Sequence, residues 1–270
     1  MNTAINLVEK GLVPDFLTRK GIKLLLKQRL KSISPAIEIK ESNIAIKTQE
    51  ANDQHYTVPT DFYKHVLGSF MKYSCCYYKT KHDSLTTAEQ NSLDLVLSRF
   101  SLKSGQKVLE LGCGWGSFSL YASKLFPDVE FTGISNSPTQ KIYIDNKAKE
   151  LGINNLQIIT TDINTFNIHT KFDRIVSIEM LEHIRNHKAV FAKLNKFLND
   201  DGKIFIHIFC HRNSTYLFDE NDRWDWMSQN FFSGGIMPSK DHLIKTSSEF
   251  FQLEKDWEIN GYHYHKTSED

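Results

Sequence analysis

Two stretches of this sequence carry residue types that could do chemistry. The first is Glu110-Leu111-Gly112-Cys113-Gly114-Trp115-Gly116. Glycines let a backbone turn tightly and approach a ligand with no Cβ in the way. A helix beginning just after them offers free N–H groups and the positive end of its dipole. Such a loop suits a ligand that carries a nucleoside, although the same glycines could serve chain geometry alone. The second stretch is Ser177-Ile178-Glu179-Met180-Leu181-Glu182-His183. Histidine has a reference pKa of about 6.5 and suits general base work near neutral pH. A neighbouring carboxylate can orient its ring or raise its basicity. A Glu-His pair can also be no more than a solvated helix start.

The elements that must position these residues follow from periodicity. Lys107-Val108-Leu109-Glu110-Leu111 is a short apolar strand, and a helix with Phe118, Tyr121, Ala122 and Leu125 follows the glycines. Further strands are expected at Val129 to Ile134, Leu156 to Thr160, Phe172 to Ser177 and Lys203 to Phe209, the last after the turn Asn199-Asp200-Asp201-Gly202. Helices fall at 138–152 and near 187–199. Strands alternating with helices predict a parallel sheet wound on both faces, of the Rossmann-like α/β class. Ligands of such sheets sit at the carboxyl ends of the strands, where both chemical stretches lie. Asp241 to Phe251 reads as a helix and Leu253 to Ile259 as a sixth strand.

Residues 1–100 read as a helical extension and cofactor-covering segment, and 101–270 as the core, with 211–240 a polar and aromatic insertion. Ser84 or Thr86 is positioned to cap the helix that runs to Phe100, with Glu89 three residues after Thr86. Trp224, Trp226, Phe231 and Phe232 in the insertion could form a lid over a site and stabilise a cation, or simply cap the end of the sheet. Ile22, Leu24, Leu25, Leu26 and Leu30 can form one apolar face, with Arg19, Lys20, Lys23, Lys27, Arg29 and Lys31 around it. Residues 19–31 therefore suit either peripheral contact with an anionic membrane or packing on the chain's own domain.

Composition narrows the classes. The 270 residues are 40% apolar and 24% charged, enough for one globular core, and a net charge of +1 gives no argument for nucleic acid. Cys75, Cys76, Cys113 and Cys210 have neither zinc-ligand spacing nor a disulfide framework, so no metal is expected. The N-terminus lacks the basic and apolar regions of a signal peptide, which predicts a cytoplasmic protein. The dinucleotide fingerprint fails, because no glycine follows Phe118 and the second strand ends in Ile134-Ser135-Asn136-Ser137 without an acid. The acid instead precedes the glycines, at Glu110.

That acid-x-Gly-x-Gly-x-Gly pattern resembles the loop of S-adenosylmethionine (SAM) methyltransferases. Tyr73-Ser74-Cys75, Gly133 to Ser137 with Gln140, Ser177 to His183, and Phe232-Ser233-Gly234-Gly235-Ile236-Met237-Pro238-Ser239 follow in order. Together they resemble the family of cyclopropane-fatty-acid synthases and coclaurine N-methyltransferases over nearly the whole chain. The resemblance implies SAM as cofactor. Tyr73 and Ser74 would hold its methionine end, and Gly112 and Gly114 would pass beneath it. Ser135, Asn136 and Gln140 would face the ribose. Asp162 would accept from the adenine amino group, or serve as a helix cap. The resemblance places the catalytic pair on Glu182 and His183, with Glu179 against cofactor or acceptor.

Two methyl acceptors remain open at this stage, a small amine and an unsaturated acyl chain of a phospholipid. An amine nucleophile must first lose a proton. An olefin passes through a carbocation, and cyclopropane synthases hold bicarbonate as the base that closes the ring. Their bicarbonate-site residues match Cys75, Glu182, His207 and Tyr264, with Phe209 at an aliphatic position; taken alone, His207 reads as a core histidine. Glu179, where the synthases usually have glycine, and Phe209-Cys210-His211 lean toward the amine enzymes. The family sheet has seven strands, and six are counted here. Either the chain is truncated or a partner such as a second copy covers the gap, and a non-catalytic SAM-binding protein is the alternative of another class.

Overall fold

The computed structural model describes residues 3–31, 37, 39, 43–48, 59–218 and 225–270. Five strands form one parallel sheet: β1 (Lys107–Leu111), β2 (Glu130–Ser135), β3 (Leu156–Thr160), β4 (Phe172–Ile178) and β5 (Leu198–His207). Their order is β3-β2-β1-β4-β5, which places β1 and its glycine loop at the centre, beside β4. Val108, Phe131, Val176 and Phe205 pack on one side of the sheet, against Leu93, Val96 and Phe118. Leu109, Leu111, Ile134 and Ile175 pack on the other, against Phe191 and Leu194. Burial on both faces is what a parallel sheet requires, and it explains the near-continuous apolar runs of its strands.

The helices begin where their sequences supply caps. α4 (Leu85–Phe100) starts at Ser84, whose hydroxyl accepts from the Thr87 N–H. α6 (Pro138–Glu150) starts at Ser137, with proline in its first turn. α7 (His187–Phe197) starts at Asn186. α5 (Ser117–Leu125) follows the glycine loop directly. Four further elements precede or interrupt this frame: α1 (Thr3–Glu9), α2 (Asp15–Lys31), α3 (Thr60–Val66) and the 3-10 turn Leu181–His183.

Three expectations are corrected. Leu253 to Ile259 forms no strand. Its alternation supplies strand propensity, but it gains no ladder partner, and side chains hold it instead: Lys203 pairs with Glu254 at 2.7 Å and Arg99 lies over the Trp257 ring at 4.7 Å. The turn at 199–202 lies within the span of β5 as an irregularity in its pairing with β4, and the strand ends at His207 rather than Phe209. Glu89 caps nothing in its own helix. It is buried and accepts from the backbone N–H groups of Phe70 and Lys72, both at 2.9 Å.

The insertion contains a two-stranded ribbon, β6 (Tyr216–Leu217) with β7 (Ile236–Met237), and α8 (Trp226–Asn230); Trp224 lies outside the described residues. The chain continues into α9 (His242–Ser247) and α10 (Tyr262–Glu269). No residue of α2 is buried, and Ile22, Leu24, Leu25, Leu26 and Leu30 are all more than half exposed. No described helix is long and apolar enough to cross a membrane.

Candidate active site

A cavity opens at the carboxyl ends of β1, β2 and β3, lined by Gly112, Gly114, Ser135, Asn136, Gln140, Asp162, Met180 and His183 among others. The three loop glycines turn out to do different work. All have positive φ. A Cβ on Gly112 would overlap the Met180 side chain, and one on Gly116 would lie 2.7 Å from Ile144 of α6. A Cβ on Gly114 would meet nothing within 4 Å. Gly114 thus faces the cavity, while Gly116 serves helix packing. Glu110 lies beneath the loop, buried and bonded to the Ser119 hydroxyl, and burial pushes its carboxyl up to about 8.

On the β2 edge, Ser135 donates to Gln140 Oε1 at 2.6 Å. This leaves the buried Gln140 Nε2 with no partner among the described residues. A buried orphan donor is costly, and a ribose hydroxyl would satisfy it. Asp162 holds Asn164 N–H on one oxygen and Thr48 Oγ1 on the other, both at 2.7 Å. It is therefore a local cap as well as a cavity wall. Thr48 belongs to a strap, residues 44–48, that crosses the cavity. Ala45 and Asn164 exchange hydrogen bonds at 3.1 and 2.9 Å, and Ile44 O accepts from Arg185 and Asn186 N–H at 3.0 Å each.

A second cluster, of the residues expected at the acceptor, gathers around Glu179 and Glu182. Glu179 ends β4 with φ of 48°, its N–H donating to His207 O at 2.8 Å. A non-glycine in the left-handed region persists only where its surroundings over-determine it. Here Cys75 N–H donates to Glu179 Oε1 at 3.0 Å, the Tyr264 hydroxyl bonds to the same carboxylate, and His207 Nε2 stands 3.9 Å away. Glu182 is wholly buried. Its Oε1 accepts from Phe209 N–H at 3.0 Å, and its Oε2 has no partner among the described residues. Burial first, then repulsion by Glu179, drives the Glu182 carboxyl well above the usual range. Burial raises Glu179 too, opposed by the Lys72 ammonium.

The remaining members act through shape and backbone. His183 stacks on Phe232 with centroids 5.3 Å apart, and Phe209 meets Phe232 edge-on at 5.3 Å. Trp226 instead donates its indole N–H to Glu9, so it ties the insertion to α1 rather than facing the acceptor. Burial pushes the Cys75 thiol up to about 12 and the His207 imidazole down to about 3. Cys75 is thereby a thiol contributing its backbone N–H, and His207 stays neutral. α10 delivers Tyr264 to this wall through hydrogen bonds from Cys76 N to Thr267 and from Tyr78 N to His263.

Joining the two halves is a segment whose key residues have no signal in the sequence. Lys72 is 2% exposed, and its ammonium donates to Ser74 Oγ and Cys75 O, both at 2.6 Å. With Glu89 holding the backbone at 70 and 72, it fixes Ser74 and the Cys75 carbonyl, and so the Cys75 N–H that reaches Glu179. Tyr73 is partly exposed and packs edge-on against Tyr63 at 5.3 Å. Lysine is almost never buried, so nothing in a linear reading singles out Lys72. Gly68 is the one trace, since a Cβ there would collide with Glu89.

Known proteins resemble this chain in sequence and fold. The family model described as mycolic acid cyclopropane synthetase matches residues 44–270. The (S)-coclaurine N-methyltransferase of Papaver somniferum is 31% identical, with 97% of this chain and 79% of that protein covered. The cyclopropane-fatty-acyl-phospholipid synthase of Escherichia coli strain K12 is 30% identical, with 79% of this chain and 53% of that protein covered. Among solved structures, a coclaurine N-methyltransferase bound to N-methylheliamine and SAH superposes with a TM-score of 0.91 at 28% identity, covering 98% of this chain and 81% of that one.

Proposed function

The chain belongs to the mycolic acid cyclopropane synthetase family and is a SAM-dependent methyltransferase, and on that premise we propose that it methylates the nitrogen of a small amine rather than an acyl double bond. The cofactor fits the residues present: the orphan donor of Gln140 and the open face of Gly114 suit a nucleoside, and Ser74, held by Lys72, is assigned to the methionine end. When bound, SAM supplies a methyl group already activated as a sulfonium. What remains for the protein is alignment and the handling of one proton, and alignment alone can be worth roughly 7–11 kcal/mol.

The observation that carries the amine reading is the Glu179 carboxylate. Cys75 N–H, the Tyr264 hydroxyl and the neighbouring His207 are the groups that would surround a bicarbonate ion, and a protein carboxylate already takes them. A second anion does not fit there, so no step is assigned to bicarbonate. An amine enters mostly as its ammonium ion. Two buried carboxylates and the Phe209 and Phe232 rings are suited to hold that cation. The cation favours the ionised form of Glu182, whose Oε2 then accepts the N–H proton, and His183 at the cavity edge can pass it on. Raising the carboxyl pKa narrows the gap to an ammonium and so eases the transfer.

The deciding experiment incubates labelled SAM with heliamine, coclaurine and vesicles of dioleoyl phospholipid. Label in the amines supports the reading, and label in the lipid alone overturns it. For α2 we also propose contact with an anionic surface. Six basic residues stand against the single acid Asp15, on a helix with no buried residue. Co-sedimentation with phosphatidylserine vesicles, lost at high salt, is the expected result.

A further inference from the structure

We propose that His187, held as its Nε2–H tautomer by Leu181 O and bonded on its other nitrogen by His242, is a positioning residue for the turn Leu181–His183. The inference rests on the reading of Glu182 and His183 as the proton-handling pair.

His187 is the first residue of α7 and is 1% exposed. Its Nε2 lies 2.8 Å from Leu181 O, and its Nδ1 lies 2.9 Å from Nε2 of His242, the first residue of α9. A carbonyl only accepts, so His187 Nε2 carries the hydrogen. A neutral imidazole has one N–H, so His187 Nδ1 must accept and His242 Nε2 must donate. The bonds therefore run in one direction, from His242 through His187 to the turn. A charged His187 would need a counterion. Among the described residues, the charged side chain acting on the pair is Lys245 on α9, which opposes it, while the adjacent Lys188 is engaged by Glu249 at 2.6 Å. Burial accordingly holds His187 down at about 4.

The turn needs this support. It spans three residues, and its own backbone bonds are His183 N to Met180 O at 3.0 Å and Ile184 N to Leu181 O at 3.1 Å. Short 3-10 turns have poor hydrogen-bond geometry. The His187 ring adds a second donor on Leu181 O. On another side the turn abuts Gly235, where a Cβ would lie 2.5 Å from Glu182 O. Gly235 and Phe232 belong to the insertion, and His242 follows that insertion closely. One continuous stretch thus touches His183 through Phe232 and the base of the turn through His242.

The test uses the full chain labelled with ¹⁵N-histidine and saturated with S-adenosylhomocysteine. Long-range ¹H–¹⁵N correlation should show His187 as the Nε2–H tautomer, unchanged from pH 8 to about 5.5. In His187→Phe the His183 ring resonances should move, and in His187→Gln, which can donate and accept at the same places, they should return. His242→Phe should leave the Nε2–H tautomer, which Leu181 O still requires, and shift the His187 Nδ1 resonance by removing its donor. With heliamine as acceptor, His187→Phe should lose roughly tenfold in kcat while SAM affinity holds within about twofold, with His187→Gln restoring most of it. An Nδ1–H tautomer in the wild type, or unmoved His183 resonances in His187→Phe, overturns the proposal. If His187→Phe fails to fold, the wild-type tautomer and His242→Phe decide it. Absence of heliamine turnover in the wild type counts against the amine reading alone, because the tautomer measurement needs no acceptor.

Discussion

Glu179 holds its carboxylate in place through a backbone conformation that costs of order 1–3 kcal/mol for a side chain other than glycine. Glu179→Gly should therefore relieve strain and remove a buried acid at once. The expected result is a melting temperature equal to or above the parent, with amine turnover largely lost. A clear drop in melting temperature would contradict the strain. At Glu182 the expected loss is chemical. Glu182→Gln keeps an acceptor for Phe209 N–H but cannot take a proton, so kcat should fall about 10²–10⁴-fold with SAM binding by calorimetry little changed. The same group sets a pH limb. Its carboxyl must be ionised to act as base, and burial with repulsion from Glu179 raises its pKa. Activity should therefore fade as pH decreases at values above the ordinary carboxylate range, and a limb near 4.5 in kcat/KM would argue against this base.

Among the elements, the turn Leu181–His183 is held by contacts distant in sequence, and its neighbours can be perturbed singly. Gly235→Ala drives a Cβ onto a backbone carbonyl that cannot move aside, so the turn must shift. Amine kcat should fall along with roughly 1–3 kcal/mol of stability, read from denaturant unfolding. His187 contributes a pH-dependent part of stability. Its folded pKa of about 4 lies below the unfolded value of about 6.5. Between those values the unfolded chain binds more protons, so this stability is complete above pH 6.5 and lost as pH falls toward 4. His187→Gln should flatten that part of the unfolding profile. These dependencies separate what a sequence discloses from what it hides. β1, β2, β3, β4 and the helix caps at Ser84 and Ser137 are legible because apolar runs and capping residues act locally. The Leu253–Ile259 segment has the local pattern but lacks the neighbour, so pattern alone misleads. Lys72, Glu89, Thr48 and the His187–His242 pair are set by contacts across 17 to 114 positions or between helices, and no periodicity marks them.

At the scale of the molecule, the sheet brings two clusters together along the carboxyl ends of its strands, one at β1, β2 and β3 and one at β4 and β5, and segments from outside the sheet complete both. The segment 70–75 bridges them from the side, α10 carries Tyr264 in from the end of the described chain, and the insertion supplies Phe232. The acceptor site is thus a convergence of distant parts, whereas the cofactor loop is contiguous. This is why the glycine loop can be read as a cofactor site while the acceptor stays open until Glu179 is seen among its partners.

The strap at 44–48 has a kinetic meaning. It lies across the cofactor cavity and is fastened at both ends, through Ile44 to Arg185 and Asn186 and through Thr48 to Asp162. We expect a nucleoside held beneath it to leave faster when those fastenings let go. Turnover would then be governed by the residence time of spent cofactor, and rapid mixing should reveal a burst of methylated product followed by a slower steady rate. Thr48→Ala unfastens one end, so it should shorten that residence time, shrink the burst and weaken cofactor retention together.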